Sequence, residues 1–233
     1  VNLILFEPAE IGHSLARSDP RAEHLLKVLS RKEGDLFDAG VVNGKRGKGT
    51  IRSIGPAFIT FDFEGTADPS PEESLHLLLA LARPQTARKI LGAATSLGVA
   101  SLRFFPSEKG EPGYATSTLW TGGEWRRHLL EGAAQAFDTR IPDVLHFGSL
   151  AEAADSTCGL APRIALDNYE AARRFGDGDR SAAVLAFGPE RGWSAQERTL
   201  LRSRGFELAH LGSRVLRTET AVVAAVAIAK VAG

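Results

Sequence analysis

Two segments near the C-terminal end concentrate the residues whose types and spacing can do chemistry. The first, GPERGWSAQE at residues 188–197, follows the apolar run AAVLAF. Gly188, Pro189, Glu190, Arg191 and Gly192 spell a tight turn. Ser194 with Glu197 three residues later is a capping box that opens a helix. In open α/β sheets, ligands bind at such a turn, at the carboxyl end of a strand. From these residues alone a plain strand-to-helix turn with Glu190 and Arg191 solvated reads equally well.

The second segment, LGSRVLRTETA at residues 211–221, leaves the strand FELAH, loops through Gly212 and starts a helix near Thr218. Amides at a helix start receive an anion or a polar ligand, and Glu219 suits the positive end of the dipole. Thr218 or Thr220 is the expected cap. The run AVVAAVAIAKVAG that follows has no polar face, so the helix is expected to be buried in a core or an interface. Polar groups at the end of a buried helix read as a site on a rigid support. Arginines making salt bridges around a loop are the bland alternative.

A third cluster lies far upstream. Lys45, Arg46, Lys48 and Arg52 fall within one short stretch that holds no acid, on a hairpin signalled by Asn43-Gly44. That pattern suits a phosphate-binding stripe or, equally, a solvated basic turn.

Other chemistries lack their residues. The chain has no G-x-G-x-x-G, Walker loop, G-x-S-x-G elbow or H-E-x-x-H. Its six histidines do not pair at metal-ligand spacing, so no metal is expected. The lone Cys158 excludes an internal disulfide and a Cys-rich zinc site, and fits a reducing compartment. With 28 basic and 28 acidic residues the net charge is zero, so any nucleic-acid binding must come from local patches. Glu7 and Glu10 fall too early for a signal peptide, and the run near 221–231 is too short to span a bilayer. A cytoplasmic protein with no membrane association is expected.

The elements around these segments fall into two rhythms. Residues 1–66 read as a small β-rich domain, plausible as a compact barrel, from the strands NLILF, DLFDAGVV, GTIRSI and AFITFDF. One helix interrupts them, with Asp19 as cap, Pro20 in its first turn, Leu25, Leu26, Val28 and Leu29 on a buried side, and Gly34 beyond its end. EGTADPSPEES, residues 64–74, suits a linker. From residue 72 to 233, strands LHLLLALA, SLRFF, RIALD, AAVLAFG and FELAHLG alternate with helices. That alternation argues for a parallel α/β sheet covered on both faces.

LGSRVLRTETA together with GPERGWS resembles the RsmE family of 16S ribosomal RNA uridine-N3 methyltransferases, of the SPOUT class. RAEHLLKVLSRKEGD is similar to that family's N-terminal PUA-like RNA-binding domain, and ATSLGV and AAQAFDTRIPDV resemble its middle. The resemblance implies a C-terminal SPOUT sheet with a trefoil knot, although knots are otherwise almost absent from proteins. It also implies S-adenosylmethionine bound in the knotted loops, a homodimer, and 16S rRNA or the small ribosomal subunit as partner. Carried over, Leu166, Gly188, Glu190, Gly192, Leu211, Gly212, Leu216 and Thr218 hold the cofactor, while Arg217 and Glu219 sit at the mouth or orient the knot.

The chain departs from the pattern in places. Arg191 replaces a glycine, Ala134 to Asp138 replace Glu-Gln-Ser-Gly-Arg, and Ala93 and Ser96 stand where lysine and glutamate are usual. Those changes bear on the nucleotide more than on the cofactor. Methyl transfer to N3 needs a group that steadies negative charge on the uracil. Arg217 or Arg214 is assigned that role, and Arg140 is a secondary RNA contact beside Lys45, Arg46, Lys48 and Arg52. Two other readings stay open: a SPOUT enzyme for a different nucleotide, and a non-catalytic RNA-binding paralogue.

Overall fold

The structure is a computed structural model that describes residues 3–176 and 182–230. The end of the apolar C-terminal run, residues 231–233, lies outside the described residues. Two compact units are present, Val1–Pro71 with Leu130–Ile141, and Glu72–Leu129 with Pro142–Gly233.

The first unit is built on a five-stranded sheet of order β1-β3-β4-β5-β2. Its strands are β1 (Ile4–Phe6), β2 (Leu15–Ala16), β3 (Leu36–Val41), β4 (Arg46–Ile54) and β5 (Phe58–Ala67). β1 pairs parallel with β3, and the other pairs are antiparallel. Along β4, Gly47, Gly49 and Ile51 turn inward while Lys48 and Arg52 turn out, the period-2 alternation of a half-buried strand. Gly49 is glycine for a packing reason: a Cβ there would lie 2.2 Å from Cζ of Phe37. That ring meets Phe61 edge-on, and Phe61 stacks on Phe6 at 4.5 Å.

The helix of this unit is shorter than its sequence suggests. Asp19 accepts the amide of Arg21 at 2.8 Å, and α1 (Pro20–Glu23) then widens into a π-helical turn, His24–Val28. The chain leaves it through Ser30 in a left-handed conformation, so Gly34 does not end the helix and lies in the turn before β3. Leu25 is fully buried, but Val28 is 67% exposed, on the outer side of the wider turn. The expected linker also begins late, because β5 continues to Ala67. Residues 130–141 join this unit through an apolar cluster of Leu3, Leu5, Val42 and Ala133, packed by Leu130, Phe137 and Ile141.

In the second unit, seven strands run in the order β10-β12-β9-β11-β6-β7-β8, every pair parallel. In chain order come β6 (His76–Ala80), α2 (Pro84–Ser96), β7 (Ser101–Phe105), α3 (Thr118–Thr121) and α4 (Glu124–Gln135). Then follow β8 (Asp143–His146), α5 (Leu150–Asp155), β9 (Arg163–Leu166) and β10 (Arg173–Arg174). β11 (Val184–Phe187), α6 (Ala195–Ser203), β12 (Glu207–His210) and α7 (Thr218–Lys230) complete it. The strands β8 and β10 and the short helix α3 carry too few apolar residues in period to be read from sequence, whereas α5 shows Leu150, Ala153 and Ala154 at helical spacing behind Ser149 but spans only six residues.

Helices cover the sheet as the alternation predicts. Leu78, Ala80, Ala165 and Ala186 share a core with Ala153 and Ala154 of α5, Leu201 of α6, and Trp193. α2 packs along α7, which also meets β11. α7 buries a stripe of Val222, Ala225, Val226 and Ala229, while Val223 stays 40% exposed. Small side chains fill the groove beside α2 on one face, and the other face, with Val223, is open in the single chain. Lys230 fixes the far end of α7 by donating to the carbonyl of Gly98 at 2.7 Å and pairing with Glu73 at 2.6 Å.

Candidate active site at the ends of β9, β11 and β12

Three segments distant in sequence border one pocket in the second unit. The turn after β11 supplies Gly188, Glu190, Gly192 and Trp193, and the loop after β9 supplies Leu166, Asp167, Asn168 and Tyr169. The loop from β12 into α7 supplies Leu211, Val215, Leu216, Thr218 and Ala221. Together they enclose a cavity of about 100 Å³ that continues into an open mouth. It lies where ligands of parallel sheets bind, beyond the carboxyl ends of the strands.

Trp193 holds two of these segments together. Its indole N–H donates to the carbonyl of Leu166 at 2.9 Å, and its ring stacks on Phe105 at 6.1 Å. A Cβ at Gly188 would come within 3.1 Å of that indole, so glycine lets the turn sit close against Trp193. Gly192 has φ +68 and faces the ring of Tyr169. The capping box of Ser194 and Glu197 is present in both directions and fixes where α6 begins. Glu197 is buried and also accepts the hydroxyl of Ser107 at 2.7 Å.

The loop after β9 turns on Asp167. Its Oδ1 accepts the amides of Tyr169 at 2.5 Å and Glu170 at 2.8 Å, and its Oδ2 accepts Nε of Arg198 at 2.5 Å. Both partners of this ion pair are buried, and Glu170 lies 3.4 Å from the same guanidinium. Asn168 donates to the carbonyl of Arg214 at 3.0 Å, which ties this loop to the one before α7.

Glu190 reaches out of its turn to accept the backbone N–H of Arg83 at 3.1 Å, at the start of α2. The Arg83 side chain in turn donates Nε to the hydroxyl of Tyr114 at 3.2 Å. At the start of α7, burial alone would raise the pKa of Glu219. Its own backbone N–H, the Lys89 ammonium at 3.0 Å and the charge of Arg217 outweigh that effect and leave it below the ordinary value.

The residues singled out in the sequence separate into three groups. Leu166, Gly188, Glu190, Gly192, Leu211, Leu216 and Thr218 all border the pocket. Gly212 does not border it: nothing lies within 4 Å of a Cβ there, and its φ of +122 is what calls for glycine. Arg214 and Arg217 are exposed on the same loop, outside the pocket wall. Thr218 is the first residue of α7, one position past the capping position, so the expected threonine cap is not formed by its side chain.

The basic stripe belongs to the first unit and is not free of acids once the sheet forms. Lys48 pairs with Asp38 on β3 at 2.7 Å, Arg52 with Asp62 on β5 at 2.5 Å, and Lys45 with Asp68 at 4.0 Å. Arg46 donates to the carbonyl of Phe137 and lies 4.8 Å over its ring, while Arg140 donates to the carbonyl of Ser70 at 2.7 Å. A stretch without acids in sequence thus acquires them from neighbouring strands. Asp138, one of the departures, accepts the amide of Thr139 at 2.7 Å and organises the turn after α4.

Asp167, Asn168, Tyr169, Trp193 and Val215 also border the pocket and carry no strong local signal in the sequence. For Trp193 the signal is a lone tryptophan between a turn and a capping box. Among the described residues no cluster could hold a metal ion, and no helix is long and apolar enough to cross a membrane.

A parallel α/β sheet with a pocket across three strand-end loops defines a ligand-binding α/β domain, and comparison with known proteins narrows it. A sequence model described as an RNA methyltransferase domain matches residues 68–230. The ribosomal RNA small subunit methyltransferase E of Treponema pallidum is 31% identical, over 98% of this chain and 90% of that protein. Ribosomal RNA small subunit methyltransferase E 1 of Borreliella burgdorferi is 27% identical, over 97% and 95%. The chain belongs to the RNA methyltransferase family, among the ribosomal RNA small subunit methyltransferases E.

Solved structures share the fold over the whole length. The Neisseria gonorrhoeae ribosomal RNA small subunit methyltransferase E, bound to S-adenosyl methionine, superposes with a TM-score of 0.77 at 24% identity, over 97% of this chain and 95% of that one. A putative methyltransferase from Legionella pneumophila, in complex with the cofactor SAM, gives 0.80 at 20% identity, over 98% and 97%.

Proposed function

We propose that the pocket binds S-adenosylmethionine and that the enzyme methylates N3 of a uridine in 16S ribosomal RNA. One observation carries this reading: Leu166, Gly188, Glu190, Gly192, Leu211, Leu216 and Thr218, taken from three separate segments, border a single pocket. The residues fit the cofactor. Leu166, Leu211 and Leu216 offer apolar walls to an adenine ring, and Gly188 and Gly192 keep side chains out of a narrow cradle.

When bound, the cofactor supplies an electrophilic methyl group. The chain's task is to place uridine N3 in line with it and to stabilise charge spread over O2, N3 and O4. Arg217 and Arg214, on the loop that ends at Thr218, are assigned that second task. The first unit, PUA-like, holds RNA through Lys45, Lys48 and Arg52, whose exposed ion pairs are weak enough to exchange for phosphates. Arg46 and Arg140 are assigned a lesser share, since both already bond backbone carbonyls. The protein works in the cytoplasm as a homodimer, a state supported by exposed Val223 on α7 and Val215 at the pocket mouth. The trefoil knot of the class would run through the loops that border the pocket.

A different target nucleotide is the second reading. It is favoured by Arg191, which places a long cation in the turn after β11 beside Glu190.

Calorimetry with S-adenosylmethionine tests the pocket. One site per chain is expected in the wild type and none in Leu216→Arg, whose side chain fills the cavity, with melting temperatures compared to verify folding. Equal binding by both proteins would place the cofactor elsewhere.

A further inference from the structure

The arginines of the second unit divide by partner. Among those remote from the pocket, Arg88 pairs with Glu124, Arg173 with Glu207 and Arg204 with Asp155, while Arg103 and Arg163 lie against carbonyl and hydroxyl oxygens of the fold. Arg83 is different. It is exposed and makes no ion pair among the described residues. Its place is nonetheless fixed at two points, by its backbone N–H on Glu190 at 3.1 Å and its Nε on the Tyr114 hydroxyl at 3.2 Å. Tyr114 is itself held in a tight turn, its carbonyl accepting the hydroxyl of Ser117 at 2.9 Å.

A solvated arginine has no reason to be anchored in this way. Orienting a long flexible side chain costs conformational entropy, and here no direct ion pair offsets it, only the more distant charges of Glu190 and Glu111. Pinning Nε leaves the two terminal nitrogens as a preset fork, the geometry that grips a phosphate with two parallel hydrogen bonds. Glu190 borders the pocket, so the backbone of Arg83 lies one hydrogen bond from its wall.

We propose that Arg83, oriented by Tyr114, grips a backbone phosphate of the substrate RNA beside the methyl-transfer pocket. The proposal rests on the reading of that pocket as the site of RNA methylation. Arg83 then acts as a positioning residue that registers the strand so that one nucleotide can enter. The backbone bond to Glu190 links that register to the turn that borders the cofactor.

The test compares wild type, Arg83→Gln, Arg83→Lys and Tyr114→Phe. Binding of deproteinised 16S ribosomal RNA is measured across a salt series, with cofactor calorimetry and melting temperature on the same preparations. Arg83→Gln should weaken RNA binding and reduce the magnitude of the salt slope by about 0.7 to 0.9, the loss of one phosphate contact. Cofactor affinity should hold, because the bond to Glu190 comes from the backbone. Arg83→Lys should recover the slope but not the full affinity, and Tyr114→Phe should keep the slope with weaker binding. An unchanged slope in Arg83→Gln, with or without a lower melting temperature, would make Arg83 a brace for the Tyr114 turn and overturn the proposal. A wild-type protein that binds cofactor but never methylates RNA would instead overturn the functional reading beneath it.

Discussion

Trp193 donates its indole N–H to the carbonyl of Leu166 across 2.9 Å, so the turn after β11 and the end of β9 are held by one side chain. Both residues border the pocket, and the ring is buried against Phe105. A hydrogen bond here does more than satisfy a carbonyl. It sets the distance between two walls of the cavity.

Trp193→Phe should therefore be felt twice. The Leu166 carbonyl loses its donor, at a cost of about 1–3 kcal/mol, and the smaller ring leaves a void beside Gly188. Melting temperature and cofactor affinity are expected to fall together. A fall in stability with unchanged affinity would show that the tryptophan only fills the core.

Asp167 and Arg198 form the buried ion pair under the pocket loop, and removing either partner should cost unequally. Asp167→Ala strands a buried guanidinium and frees the amides of Tyr169 and Glu170, so a loss of about 3–5 kcal/mol is expected in denaturant unfolding. Arg198→Met leaves the carboxylate with its two amide donors and should cost less. The reverse order would mean that the arginine, through its stacking near Tyr169, matters more than the charge it meets.

The pH dependence of stability has a clear contributor in Glu124. Hydrogen bonds from Arg88, the charge of Arg88 and its neighbours His128 and Arg127 hold its carboxyl at about 2, against a burial effect of opposite sign. A depressed folded-state pKa gives stability that is fully present above the ordinary value of 4.5 and lost as pH falls toward 2. Arg88→Gln should flatten the stability profile in that acid window and leave its shape near neutrality alone. An identical acid limb in both proteins would remove Glu124 from the account.

Arg217 carries the catalytic assignment. Arg217→Ala should slow single-turnover methylation by roughly 100- to 1000-fold, as loss of one preorganised donor does elsewhere, with little change in cofactor affinity. Lysine should rescue poorly because it lacks the planar fork. A near-normal rate at saturating cofactor, coupled with a lower melting temperature, would reduce Arg217 to a brace for the loop.

What was legible in the sequence follows from the strength of local signals. Ser194 and Glu197 specify a helix start through their own hydrogen bonds, so α6 and the turn before it are readable without the fold. The apolar run Leu77–Leu79 announces a strand covered on both faces for the same reason. The partners of Lys48 and Arg52 are not readable, because Asp38 and Asp62 arrive from other strands only when the register is set. Likewise nothing local marks Asp167, whose partner Arg198 is brought beneath it by the return of α6. The π-helical turn at His24–Val28 is a further case: its composition is that of an ordinary helix, and only packing shows that Val28 faces outward.

Delivery of a methyl group from this pocket to a uridine base of 16S ribosomal RNA can be observed directly. The most direct test incubates the purified enzyme with methyl-labelled S-adenosylmethionine and 16S ribosomal RNA or small subunits lacking the modification, then identifies the labelled nucleoside by mass mapping. The expected result is label on a single N3-methyluridine, absent when Leu216→Arg replaces the wild type. Label on a ribose or on another base, or none with either substrate while the cofactor still binds, would contradict it.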